Sequence, residues 1–215
     1  NIYGSMNISP LLKFYPDEIH FLSDEVETIN AKNNNLSNAS FYIDGSGTWT
    51  LQDSLLIKEL HLSNGTFNTN GKYVHINDET RFSGSSGAAL DMGTSFFFSR
   101  SLTGGTASNY TIDASEATLS FSSSFTPDYN EENTVTINEL KIDQYNSTDD
   151  GNIYGNVTVG KLTVTAGSPI TIEAGTTITT DEIVMVGTSE EPILLSSSKA
   201  GDAGTLSQAS GTIEA

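Results

Sequence analysis

A short string returns along this chain: Ser46-Gly47-Thr48-Trp49-Thr50 recurs at a step of 18 as Asn64-Gly65-Thr66-Phe67-Asn68, which puts Trp49 and Phe67 in equivalent places. A second string, Pro169-Ile170-Thr171-Ile172, recurs further along as Pro192-Ile193-Leu194-Leu195, with Pro192 in the place of Pro169. Steps of this size suit a unit that cannot bury its inner face alone and must stack on copies of itself, since solenoid coils run to about 20–29 residues. A β-sandwich also has turn signals about every 8–12 residues, but it has no need for the same string to come back at coil spacing.

Between the repeated strings lie short runs in which apolar and polar residues alternate, bounded by Gly, Asn, Ser and Asp. Examples are Phe41-Tyr42-Ile43-Asp44, Glu59-Leu60-His61-Leu62, Tyr73-Val74-His75-Ile76 and Thr134-Val135-Thr136-Ile137. Alternation of this kind marks half-buried strands, and the abundance of Thr, Ser, Val and Ile suits a pleated surface. Repeats and alternation together predict an all-β chain folded as a right-handed parallel β-helix, or β-solenoid, with a less regular N-terminal cap.

Three regions are expected. Residues 1–35 form a cap or preceding coil, because the stretch from Pro10 to Val26 lacks a period of two and Pro16-Asp17-Glu18 reads as a turn or short helix start. Residues 36–146 form aromatic-rich coils, and residues 147–215 form slimmer ones that continue beyond the chain end. The division rests on the aromatics: all 19 occur by Tyr154 and none lies beyond it. Trp49, Phe67 and Phe96-Phe97-Phe98 are expected in the core stacks, and Ser147 to Asn152 as a long exposed loop.

Charge and composition narrow the partners. Nine basic residues against 27 acidic ones leave a net charge of −18, which opposes nucleic acid and anionic membrane surfaces. With no cysteine, neither disulfides nor thiolate metal sites are available. No run of about 18 apolar residues exists, so no membrane insertion is expected. Asn1 is not an initiator methionine with a basic region behind it, and the chain reads as a mature product or an excised piece.

The string Asp44-Gly45-Ser46-Gly47-Thr48-Trp49-Thr50-Leu51-Gln52-Asp53, succeeded by Leu60 to Gly71, resembles the repeats of very long secreted proteins of Bacteroidota-type bacteria. The later strings Ile170 to Thr177, Pro192 to Ser198 and Gly204 to Thr212 are similar to the segments downstream of those repeats in the same proteins. The resemblance covers residues 24–104 and 155–215 and rests on strings of low complexity. It implies a parallel β-helix on an exported surface or adhesin-type polypeptide, with roles in adhesion, gliding or biofilm and export by the type IX route. No C-terminal signal domain of that route is read within residues 1–215, and the resemblance implies more protein beyond Ala215.

Candidate chemistry is sparse. The carboxylates fall in adjacent pairs, Asp17-Glu18, Asp24-Glu25, Asp78-Glu79, Glu131-Glu132, Asp149-Asp150, Asp181-Glu182 and Glu190-Glu191. Neighbours in a strand point to opposite faces, so most pairs are read as solvated turns and not as a catalytic couple. His61 and His75 alternate with apolar residues and read as outward positions on adjacent coils, with no third metal ligand; His20 carries no assignment. Asn146, Asp149, Asp150 and Asn152 are the densest oxygen cluster, a weak calcium candidate that lacks the order of a calcium-binding loop and is read as a plain turn. Gly45-Ser46-Gly47 and Gly104-Gly105 precede no helix and are turns, not phosphate loops.

No catalytic, cofactor-binding or metal residue is therefore expected. The chain reads as a non-catalytic stalk or display region whose partner is a surface ligand, glycan or protein. A carbohydrate-binding or polysaccharide-cleaving β-helix is the first alternative, and it requires a groove with solvent-facing aromatics and convergent carboxylates. A filament subunit self-associating through its sheet edges is the second.

Overall fold

The computed structural model describes residues 1–9, 15–32, 34–84, 87–104, 109–127, 134–143 and 150–208. All of the regular structure in them is β, and every pairing between strands is parallel, so that successive passes of the chain stack into a β-solenoid of about eight turns. The register resolves three ladders. The first joins Met6–Asn7, Val26–Asn30, Thr48–Leu51, Thr66–Asn68, Ala89–Asp91 and the start of Thr111–Thr126, and ends at Thr205–Gln208. The second runs from Leu36 through Leu55, Val74 and Phe97 to Ile183, and the third from Glu18–Phe21 to Leu195–Ser197.

Coil length varies. Equivalent positions on the first ladder step from Val26 to Thr48, from Thr48 to Thr66, from Thr66 to Ala89 and, near the C-terminus, from Ile178 to Leu206. Of these the coil that begins at Thr48 is the shortest and the one that begins at Ile178 the longest. The N-terminal turn is the least regular, reduced to the two-residue strand Met6–Asn7 and a single bridge from Ile2 to Phe21.

Strand alternation turns into columns once the coils stack. On the second ladder Leu55, Val74, Phe97, Leu119, Leu140, Leu162 and Ile183 lie one above another, all buried. On the first, Trp49, Phe67, Leu90 and Ile112 form a second buried column, and Phe21 meets Trp49 edge-on at 4.8 Å between ring centroids. Toward the C-terminus the core becomes aliphatic, built from Ile153, Val159, Leu162, Ile170, Ile172 and Ile178.

The glycines of the repeated string have a steric reason. At the corner leading into the first ladder, a Cβ on Gly65 would come within 2.4 Å of the carbonyl oxygens of both Gly45 and Gly47, and Gly65 also has a φ of +61°. Turn stacks directly on turn, and only glycine leaves room for it.

Two expectations need correction. The first repeated string does give the true register, with Thr48, Trp49 and Thr50 on Thr66, Phe67 and Asn68. The second does not: Ile170 pairs with Leu195, two places beyond Ile193, its match in the string. A slip of two keeps the same side chains on the same face, so alternation alone cannot detect it. Phe96 and Phe98 do not join the core; only Phe97 points inward, and its neighbours lie on the outer surface as the period of two requires.

Replacing Trp49 by Ala removes the largest side chain of the core, and equilibrium denaturation should show a loss of about 3–5 kcal/mol with a strand-rich circular dichroism spectrum retained in native buffer. A near-neutral change would contradict the buried column. A helix content above about a third would contradict the solenoid itself.

Candidate functional site

Outward positions stack as strictly as inward ones. On the third ladder His20, Tyr42 and His61 occupy one outer column, with ring centroids 4.5 Å and 4.4 Å apart and planes within 10° and 4° of parallel. Carboxylates flank the stack. His20 Nδ1 lies 2.8 Å from Asp44 Oδ2 and its Nε2 3.6 Å from Glu18, while His61 Nε2 lies 3.2 Å from Glu59 Oε2. Ser40 donates to Glu59 at 2.9 Å, and Lys58 Nζ sits 2.9 Å from the other Glu59 oxygen.

Within this constellation Glu59 and Tyr42 are shifted away from their ordinary ranges. Burial would raise the Glu59 carboxyl, but hydrogen bonds from Lys58, His61 and Ser40 outweigh it and bring the pKa from an ordinary 4.5 down to about 2. Burial raises the Tyr42 phenol, and the fields of Glu18 and Glu59 add to it. A carboxyl group this acidic is ionised at neutral pH, where it is no proton donor and only a weak base. Chemically the column is a fixed pairing of rings and charges. On the second ladder Glu139 shows the same pattern: burial opposes ionisation, but Thr163 and Thr118 donate to it at 2.6 and 2.9 Å and Lys161 stands 3.8 Å away, so its pKa is lowered.

The outer surface of the second ladder changes character along the solenoid. At its N-terminal side Tyr73 stacks on Phe96 at 5.7 Å with planes 7° apart, and His75 stacks on Phe98 at 4.5 Å. Further along, the Phe96 column continues as Thr118, Glu139, Lys161 and Glu182, with Lys161 3.8 Å from each glutamate. Beside Tyr73 opens a groove of about 440 Å³ lined by Asn34, Asn35, Ser54, Leu55, Leu56, Tyr73, His75 and Asn77. A smaller one of about 220 Å³ shares Asn35 with it and is edged by Tyr15, which is 77% exposed.

The residues singled out from sequence are mostly dispersed. His61 faces outward on the third ladder and His75 on the second, so the two do not meet. Asp24-Glu25 and Glu190-Glu191 lie in turns, but Asp78-Glu79 and Asp181-Glu182 lie within strands Val74–Phe82 and Thr177–Met185, where alternation breaks as the chain passes between faces. Of the calcium candidates, Asn146 and Asp149 fall outside the described residues, as do Glu131-Glu132 and Gly105; Asn152 donates to the Asp150 carbonyl at 2.9 Å. Among the described residues no three His, Asp or Glu side chains gather closely enough to hold a metal ion, and no helix is long and apolar enough to cross a membrane.

Sequence reasoning missed the His20–Tyr42–His61 column and the outward aromatics at Tyr73, Phe96 and Phe98. Period two already gives the outward positions; which of them stack requires each coil's length. No protein-family model, curated protein or solved structure matches the chain.

Glu59 also sets an acid-stability test. Its folded pKa is depressed, so its contribution is complete above about 4.5 and is lost as the pH falls toward about 2. Glu59→Gln should cost about 1–2 kcal/mol at pH 7, after allowance for solvent screening, and almost nothing at pH 2. Equal costs at both pH values in urea titrations would show that the ionic network does not stabilise the fold.

Proposed function

We propose that the chain is a non-catalytic segment of an exported cell-surface or adhesin-type protein, acting as its stalk or display region. The observation that carries this reading is the unbroken inner column from Leu55 to Ile183, a shaft in which each coil supports the next. Adhesion, gliding or biofilm formation are the roles that the sequence resemblance attaches to such a shaft, with export by the type IX route.

Side-chain chemistry supports the non-catalytic part. Glycoside cleavage needs a carboxylic acid with a raised pKa beside a carboxylate. Glu59, Asp113 and Glu139 are instead all shifted downward; for Asp113, the hydrogen bonds from Ser115 are the cause. Cleavage of acidic polymers would also need cationic groups gathered to meet them, yet Lys58, Lys141, Lys161 and Lys199 pair with neighbouring carboxylates, and Arg81 and Arg100 lie 4.0 Å from Glu79 and Asp78, which leaves Lys32 and Lys72 outside such pairs among the described residues.

A second reading, glycan binding, is favoured by one observation: Tyr73, backed by Phe96, stands on the outer surface at the edge of a groove.

Neutral and acidic glycans incubated with the protein, with and without calcium, should release no reducing ends and no unsaturated products. Product formation that disappears in Glu59→Gln would overturn the non-catalytic assignment. Antibody raised against the segment should label intact cells of the native host, and labelling only after lysis would overturn the surface assignment.

A further inference from the structure

The groove beside Tyr73 is a product of coil length. The coil from Thr48 to Thr66 is shorter than the coils on either side of it, Val26 to Thr48 and Thr66 to Ala89. Asn34 and Asn35 come from the longer coil on one side, Tyr73, His75 and Asn77 from the longer coil on the other, and Ser54, Leu55 and Leu56 of the short coil form the floor. The short coil is recessed between its neighbours.

The ring column ends at this recess. Tyr73 and Phe96 directly precede the paired residues Val74 and Phe97, and the position that precedes Leu55 in the same ladder is Ser54. Phe96 therefore covers Tyr73 from one coil, while on the other side the next place in the column holds a small hydroxyl in place of a third ring. Tyr73 remains 49% exposed, unusual for an aromatic stacked in a ladder. The volume of the void, about 440 Å³, lies within the range of about 300–1,000 Å³ common to small-molecule sites.

We propose that this recess binds a pyranose ring of an uncharged glycan, stacked on Tyr73 above Ser54 and hydrogen-bonded by Asn34, Asn35 and Asn77. The proposal deepens the display reading, on which it rests, by naming the ligand displayed to.

The choice of occupant comes from the lining. One face of a pyranose presents C–H groups that pack on an aromatic ring, and its rim presents hydroxyls that suit amide side chains. The recess offers both, with no charged residue among its lining. Burial also lowers the His75 pKa, against a smaller opposing effect of Asn77, so its imidazole is neutral at neutral pH. Asn34 and Asn77 each donate one N–H within the protein, to the carbonyls of Ala31 and Ser37, and Asn35 accepts from the Ser37 N–H. An apolar side chain from another protein would fill the ring place but cover the remaining donors and acceptors of these amides, at a cost of about 1–3 kcal/mol for each group left unsatisfied. No cation lines the recess to hold a uronate, and the chain carries −18 overall. The adjoining smaller groove, reached past Asn35 and edged by Tyr15, provides a path for a second sugar unit.

Saturation-transfer NMR with cello-, manno- and malto-hexaose, and with hexagalacturonate as the acidic probe, tests this on the full chain. At least one neutral hexaose should bind, and hexagalacturonate should not. Tyr73→Ala should weaken binding at least about tenfold, as loss of a stacking platform does. Ser54→Phe places a third ring in the exposed void and should abolish binding with the melting temperature unchanged or raised, which separates a blocked site from a misfolded protein. Absence of binding by all three neutral hexaoses, binding indifferent to Ser54→Phe, or equal binding of hexagalacturonate overturns the proposal. So does a concentration-dependent dimer, seen by sedimentation without sugar, that Ser54→Phe dissolves, since a second copy is then the occupant. Binding followed by cleavage would sink the display reading and leave the recess standing, whereas no binding and no cleavage would do the reverse.

Discussion

Parallel hydrogen bonding between successive coils is the interaction on which everything else in this molecule depends. It holds each strand about 4.8 Å above its equivalent in the previous coil, and it does so in register. A side chain therefore packs on its counterparts one turn away, as Thr48 on Thr66 or Ile178 on Leu206, while the residues that flank it in sequence point to the opposite face. Inward positions become continuous apolar columns such as Leu55 to Ile183, and the corners must be small enough for backbone to lie on backbone, as Gly65 does on Gly45 and Gly47. Stability is thus shared between neighbouring coils more than concentrated in one central core.

The same constraint orders the outside. Side chains with no role in the core are still placed one ring or one charge above another, which is why His20, Tyr42 and His61 stack nearly parallel and why Lys161 falls between Glu139 and Glu182. Favourable columns alternate charge or stack rings; like charges one coil apart would repel. The surface is accordingly a set of stripes along the solenoid, aromatic near Tyr73 and Phe96 and ionic toward Glu182. Where one coil is shorter than its neighbours a stripe is interrupted, and the recess at Ser54 is the clearest instance.

Much of this is legible in the chain alone. Alternation around Phe41, Leu60 and Val74 gives inner and outer faces, and the recurrence of Gly-Thr-Trp as Gly-Thr-Phe gives both the parallel stack and the pairing of Trp49 with Phe67. What stays hidden depends on coil length. The step from His20 to Tyr42 is longer than the step from Tyr42 to His61, because the corners between them differ, and no single period brings all three together. The match of Ile170 to Ile193 fails for a related reason: extra chain in the segment before Leu195 shifts the string by two, which period two tolerates without changing any face. A run of three aromatics at Phe96 to Phe98 invites a hydrophobic reading, although alternation sends its first and third members outward.

Unequal coils have a mechanical consequence. The inter-coil hydrogen bonds run along the stacking direction, so a pull on the two ends peels one turn at a time and does not shear a whole sheet at once. Each detached turn releases a length of chain set by its residue count, at most about 3.3–3.6 Å per residue. The coil from Thr48 yields roughly 60 Å and the one from Ile178 roughly 95 Å. A tether made of such turns lengthens in uneven steps under load, and its compliance is written in the spacing of its corners.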